Sequence, residues 1–347
     1  MHLANFQLHR LTIARCLRGK LRYGIAACMV AVLQFSLART SHGLELACRS
    51  SDTIWEISSR NLPDCPSHEY EPRFAVNKNA DCRWWPQTLD SLRAHIDSHP
   101  EQRIVFYVHG NWMPQQDAKE RALAIYRRLA SFATDGAPIC FISFSWPSER
   151  REGFARDVIG KKSRLDTDAY YFALAIEQLQ LRRSAGFIGF SFGSAVLCGA
   201  QHLLAGGNLC GYQLSITPAS NVPANISLIA PAFDRGELTV RGRYHLALED
   251  SDSVVNLYNS IDPILKRFRF FDRDRSPVAA GFAGLLESRS DAPLAASSTI
   301  AQFDCRSIGR THAELDYLKC SHACRAFENV LSTNNCYTVT DKQISLE

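Results

Sequence analysis

In Gly189-Phe190-Ser191-Phe192-Gly193 a serine lies two residues from a glycine on either side. The pattern alone is a weak signal, but its surroundings give it weight. The apolar run Gly186-Phe-Ile-Gly189 leads straight into it, and the Ala/Leu-rich stretch from Ala195 to Leu204 follows. A serine on a tight strand-to-helix turn projects its hydroxyl above a sheet, and the flanking glycines let the backbone make the turn. The helix that starts there favours negative charge developing near its N-terminus. The chemistry implied is nucleophilic attack by the Ser191 alcohol.

An alcohol needs a base. Gly309-Arg-Thr-His312 follows the last apolar run of the chain and supplies His312, with His322 and His245 as competitors. The base needs an acid to fix its tautomer and stabilise its charged form. Asp262, in Asn259-Ser-Ile-Asp262-Pro263, lies after a strand-like segment; Asp234, one strand earlier, is the alternative. The chain order serine, acid, histidine is the one this kind of architecture requires. An oxyanion needs two backbone N–H donors. Phe192, directly after the serine, is one expected donor. Asn111 in His109-Gly110-Asn111-Trp112 is the other, with Trp112 second. His109 comes too early in this order to be the base and is expected to make structural hydrogen bonds. No cofactor and no metal are expected. Cys320-Ser-His322-Ala-Cys324 carries metal donors but lacks a second matched pair.

The segments between these residues alternate between strand and helix patterns. Strands are expected at Thr53–Ser59, Arg73–Asn77, Arg103–Val108, Pro138–Phe144, Gly186–Gly189, Ile226–Ile229, Ser253–Tyr258 and Thr299–Phe303. Helical periodicity marks Gln87–Ile96, Gln116–Phe132, Asp166–Leu181 (with Asp166 or Thr167 as N-cap) and Ala195–Leu204. Such alternation predicts an α/β protein with a mostly parallel central sheet and helices on both faces. Residues 264–298 read as a helix plus a surface excursion, or a flap. The short interval from Ala230 to Ser253 leaves no room for a large lid, so an open site is expected. Trp146 is expected either to line the cleft or to pack under the loop as a core residue, and Trp84-Trp85 to pack structurally.

From about Thr53 to Tyr317 the chain resembles the α/β-hydrolase superfamily. Phe-Tyr-Val-His109-Gly110-Asn111, Phe144-Ser-Trp146-Pro147-Ser148 and Ile188-Gly-Phe-Ser191-Phe-Gly-Ser194 together resemble a bacterial family of uncharacterised hydrolases. The resemblance implies an esterase-like site at Ser191, Asp262 and His312. It also implies a small-molecule or lipid-like ester (or thioester or amide) as substrate. A non-catalytic binding or envelope-associated protein on the same scaffold is the alternative, and an acyltransferase with the same residues is a third reading. The interval between Asp262 and His312 is long for a simple member, and the cysteine-rich ends are unusual.

Hydrophobic residues make up 46% of the 347, enough for one large domain, expected at 44–347. The formal charge of +4 arises in the first 43 residues, which hold six Arg and Lys and no acid. Subtracting those six from 39 basic residues leaves 33 against 35 acidic ones, so the body offers no argument for nucleic-acid binding. Residues 1–43 read as an export signal or anchor: a basic region to Arg22, an apolar stretch from Tyr23 to Ala38, then small residues. This segment is the only expected route to a membrane. Ten cysteines beyond it fit an exported chain that permits disulfides at its two ends, with Cys140 and Cys198 as free core thiols.

Overall fold

The computed structural model describes residues 48–66, 72–150, 154–214, 223–271, 276–286 and 299–332; side chains at 154–163 and 271 are outside the description. The chain divides into residues 1–46 and 47–347. The expected signal segment and Cys336 lie outside the described residues. Among the described residues, no helix is long and apolar enough to cross a membrane.

Among the described residues nine strands form one sheet: β1 (Thr53–Ser58), β2 (Ala75–Ala80), β3 (Arg83–Gln87), β4 (Arg103–Val108), β5 (Ile139–Ser145), β6 (Ala185–Phe190), β7 (Ala224–Ile229), β8 (Ser251–Tyr258) and β9 (Thr299–Asp304). Their order is β3-β2-β1-β5-β4-β6-β7-β8-β9. The pairs β1–β2 and β2–β3 are antiparallel, and the other six pairings are parallel. From β4 the chain moves toward β1, and from β6 it moves toward β9. The loops leaving β4 and β6 therefore part at their carboxyl ends, where open α/β sheets form their crevice.

The helices are α1 (Leu89–Ser98), α2 (Gln115–Ala130), α3 (Phe154–Leu179), α4 (Phe192–Leu204), α5 (Ala280–Ala283), α6 (Glu314–Tyr317) and α7 (Ala323–Leu331). They cover both faces, because successive strand residues point opposite ways. Phe106 meets Phe172 of α3, while its neighbour Tyr107 reaches Glu314 on the other side. Phe187 stacks on Phe106, while the Cβ position of Gly186 is filled by Val330 of α7, with Val330 O 2.4 Å away. The core strands β4, β5, β6 and β7 are buried nearly throughout, as continuous apolar runs in a parallel sheet should be.

Three features depart from the sequence expectation. The strand β3 was not expected. It pairs with β2 through a two-residue turn in which Asp81 and Cys82 both have positive φ, 50° and 59°. That turn type is normally signalled by Asn-Gly or Asp-Gly, and Asp-Cys hides it. Trp85 on this edge strand is 52% exposed rather than packed, while Trp84 lies under the Lys119 ammonium.

Second, α3 begins at Phe154, so neither Asp166 nor Thr167 is its N-cap. Asp166 instead pairs with Arg243, and the Thr167 hydroxyl donates to Asp64 O. Within the helix, Arg164 Nε and Asp168 Oδ2 lie 3.3 Å apart at i,i+4 spacing. Burial raises the Asp168 carboxyl to about 7 from its ordinary 3.8, against the pull of Arg164. Between those values the unfolded chain ionises while the folded one keeps its proton, so this group's contribution to stability is lost as pH rises through that window. Asp168→Asn should accordingly flatten the decline of Tm between about pH 4 and 7. A variant whose Tm–pH curve runs parallel to the wild type would contradict this.

Third, none of the nine described cysteines is bonded to another. Cys140 and Cys198 are buried core thiols, as expected, and burial pushes the Cys140 thiol up to about 12. The unclear stretch after Asp262 forms a 3-10 turn at Leu265–Phe271 and then the short α5.

Candidate active site

Ser191 sits between β6 and α4 with φ 52° and ψ −121°. A non-glycine residue there stores strain on the order of 1–3 kcal/mol, and the surroundings must hold it. They do so through Ser191 N donating to Ile229 O at 3.0 Å, and through Ser191 O accepting from Ser194 N and Ala232 N, each at 3.1 Å. Both glycines are needed for contact. A Cβ on Gly189 would stand 2.7 Å from Ser194 Cα, and one on Gly193 would stand 2.2 Å from Val108 O. Two further non-glycine residues with positive φ occupy the same sheet edge, Trp112 after β4 and Ala230 after β7.

The three residues expected to act together are brought together. Ser191 Oγ lies 3.0 Å from His312 Nε2, and His312 Nδ1 lies 2.7 Å from Asp262 Oδ2. The serine is 6% exposed and Asp262 is fully buried, while the His312 side chain keeps 18% of its surface. Asp262 follows β8 in a turn that it caps itself: its Oδ1 accepts from Ile264 N at 2.8 Å and Leu265 N at 3.0 Å. Asp234 is instead a loop cap, its carboxylate taken by Gly236 N and Val278 N. The competing histidines are engaged elsewhere. His322 stacks on Phe303, and His245 packs against His202.

The long acid-to-histidine interval is stitched across by side chains that sequence reasoning missed. Asn259, fully buried at the end of β8, donates from Nδ2 to Gly309 O at 2.9 Å and Thr311 O at 3.3 Å. Two residues past His312, Glu314 accepts from Tyr107 OH and from Arg121, both at 2.9 Å. Burial raises the Glu314 carboxyl, opposed by Arg121 and Tyr107. The Tyr317 hydroxyl donates to Asp262 Oδ2 at 3.2 Å. Each of these partners is dozens to hundreds of residues away in the chain, so no local pattern announces them.

The loop after β4 runs against the nucleophile. A Cβ on Gly110 would meet the Phe190 ring at 2.7 Å and Ser191 Cβ at 3.3 Å. His109 holds that loop from below. It is fully buried, its Nδ1 donates to Gly110 O at 2.8 Å, and its Nε2 accepts from Arg60 at 3.2 Å and from Trp146 N at 3.3 Å. These partners assign the Nδ1–H tautomer. Burial, then the Arg60 charge, lower its imidazole to about 3, which makes it a neutral hydrogen-bonder rather than a base. Arg60 also donates to Met113 O and Ser145 Oγ and pairs with Glu149. Trp146 has no exposed surface, donates to His109 O at 2.8 Å and stacks on the His109 ring, so it packs under the loop as a core residue. Phe192 opens α4, where its N–H has no partner inside the helix.

Neither a protein-family model nor a curated protein matches this chain. A hydroxyl, an imidazole and a buried carboxylate in hydrogen-bonded series can pass the alcohol proton to the ring and stabilise the charge that forms there. Among the described residues, no group of three or more His, Cys, Asp or Glu could hold a metal ion.

Proposed function

We propose that this protein is a serine hydrolase with an α/β-hydrolase fold that cleaves an ester-type bond through an acyl-enzyme. The reading rests on one observation: Ser191 Oγ, His312 Nε2, His312 Nδ1 and Asp262 Oδ2 lie in unbroken hydrogen-bonded series at 3.0 and 2.7 Å. Ser191 attacks the carbonyl carbon, and His312 takes its proton and returns it to the leaving alcohol. Asp262 stabilises the imidazolium, and water then repeats the sequence on the acyl-enzyme. The N–H groups of Asn111 and Phe192 hold the oxyanion. Their loops are the two that part at the sheet's switch point, which supports this pairing.

The substrate class is a small-molecule or lipid-like ester, with thioesters and amides as chemical neighbours. The interval from Ala230 to Ser253 folds into successive turns beside the nucleophile, with Ala232 N on Ser191 O, which favours a carboxylesterase over a lidded lipase. Residues 1–43 serve export or anchoring in this reading, on the strength of their charge and apolar pattern.

The test is covalent labelling. A fluorophosphonate probe should react stoichiometrically with the purified protein, and Ser191→Ala should abolish the label. An unlabelled wild type, or labelling that survives in Ser191→Ala, overturns the proposal.

A further inference from the structure

Asp262 is fully buried, and its carboxylate accepts four hydrogen bonds. Its own turn occupies Oδ1 with two backbone N–H groups. His312 takes one position on Oδ2, and the other belongs to Tyr317 OH. A carboxylate has about four acceptor sites, so these donors fill it without water. The tyrosine is itself fully buried, and its ring packs edge-on against Phe190, the residue before the nucleophile. Its mount, α6, starts at Glu314, which Tyr107 and Arg121 grip from β4 and α2. The same short helix follows the His312 loop directly. One segment thus carries the histidine at its entrance and a second donor to the acid at its end.

We propose that Tyr317 is a positioning residue of the site: its hydroxyl donates the second hydrogen bond to Asp262 Oδ2 and so sets the direction and strength of the acceptor that orients His312. This rests on the reading of Ser191, His312 and Asp262 as the reacting group. In a dry site an acceptor with a lone pair that no donor engages keeps its full negative potential and swings toward its remaining donor. The tyrosine removes that freedom. Burial, with Asp262 next in effect, pushes its phenol well above the ordinary range, so it stays a donor at working pH. The Asn259 side chain lies beside the same hydroxyl and ties the His312 loop to the acid's turn. The plainer reading is a core tyrosine that buries its hydroxyl on the nearest acceptor and has no influence on the histidine.

Tyr317→Phe separates the two, because it keeps the ring against Phe190 and removes only the donor. The first measurement is the Nδ1–H resonance of His312 in the resting protein labelled with nitrogen-15 histidine, assigned by its loss in His312→Ala. Positioning predicts that the proton moves downfield as Asp262 becomes the stronger acceptor. A resonance at its wild-type position in a variant with wild-type melting behaviour overturns the proposal. The second measurement is the rate of fluorophosphonate labelling. It should fall by about tenfold in Tyr317→Phe. In an Asp262→Asn background the same change should alter it by less than about twofold, since the tyrosine acts through the acid. An equal fall in both backgrounds assigns Tyr317 a purely structural role and also overturns the proposal. A wild type that takes no label ends the hydrolase reading alone, and the resonance still decides the question for Tyr317.

Discussion

His312→Ala is expected to slow ester hydrolysis by about a millionfold, as much as Ser191→Ala, with the double variant no slower than either alone. In the proposed chemistry the serine and histidine act as a unit, so removing either removes the contribution of both. Without the imidazole the Ser191 hydroxyl keeps its proton and is a poor nucleophile. Asp262→Asn should be milder, with a loss of about 10⁴, because the ring survives but in the wrong tautomer. Steady-state kinetics on an activated ester would check the series. Losses in the double variant that multiply would mean that Ser191 and His312 act independently, and the proposed chemistry would not stand.

Gly193→Ala should be the most damaging single methyl group in this region. Its Cβ would fall 2.2 Å from Val108 O and 2.4 Å from His109 O, and both are backbone atoms of the β4 exit. No rotamer change relieves such a contact, so α4 or the β4 strand end must move. Overpacking of this kind costs about 1–3 kcal/mol, which for a domain of this size is a Tm lower by about 2–5 °C. The same displacement separates the two loops proposed to hold the oxyanion, and activity should drop by about 10²–10³. Differential scanning calorimetry and the ester assay read the two effects separately. Unchanged Tm with full activity would show that the two elements are not in the contact described.

The sheet was legible wherever burial writes itself into composition. The β4, β5 and β6 runs are apolar on both faces because helices cover both, and their bounds agree with expectation to within one or two residues. Ser191, Asp262 and His312 were legible for a related reason: each sits just beyond a recognisable strand or strand-to-helix junction, and their chain order is informative. Three kinds of feature escaped. The β2–β3 hairpin turns on Asp81-Cys82, which lacks the glycine that usually betrays such a turn. The start of α3 lay in a charged stretch with no apolar stripe to mark it. The supporting groups Arg60, Tyr107, Arg121, Asn259, Glu314 and Tyr317 act through partners remote in the chain. Arg60 meets His109 forty-nine residues on, and Tyr107 meets Glu314 two hundred and seven residues on. Only the folded sheet brings those pairs within reach.

The Asn259 bridge to the carbonyls of Gly309 and Thr311 also bears on the order of assembly. Ser191 and its turn belong to the middle of the chain, whereas His312 is delivered only when β9 has joined the sheet edge and α6 has seated on Tyr107 and Arg121. Contacts of such long sequence separation form late, because the loops they close carry the largest entropic cost. In the proposed chemistry, then, position 191 holds an ordinary alcohol until the segment through Tyr317 has folded against the sheet. On that reading, unravelling of the segment from β9 to α6 would leave the serine unreactive while the rest of the sheet stays folded.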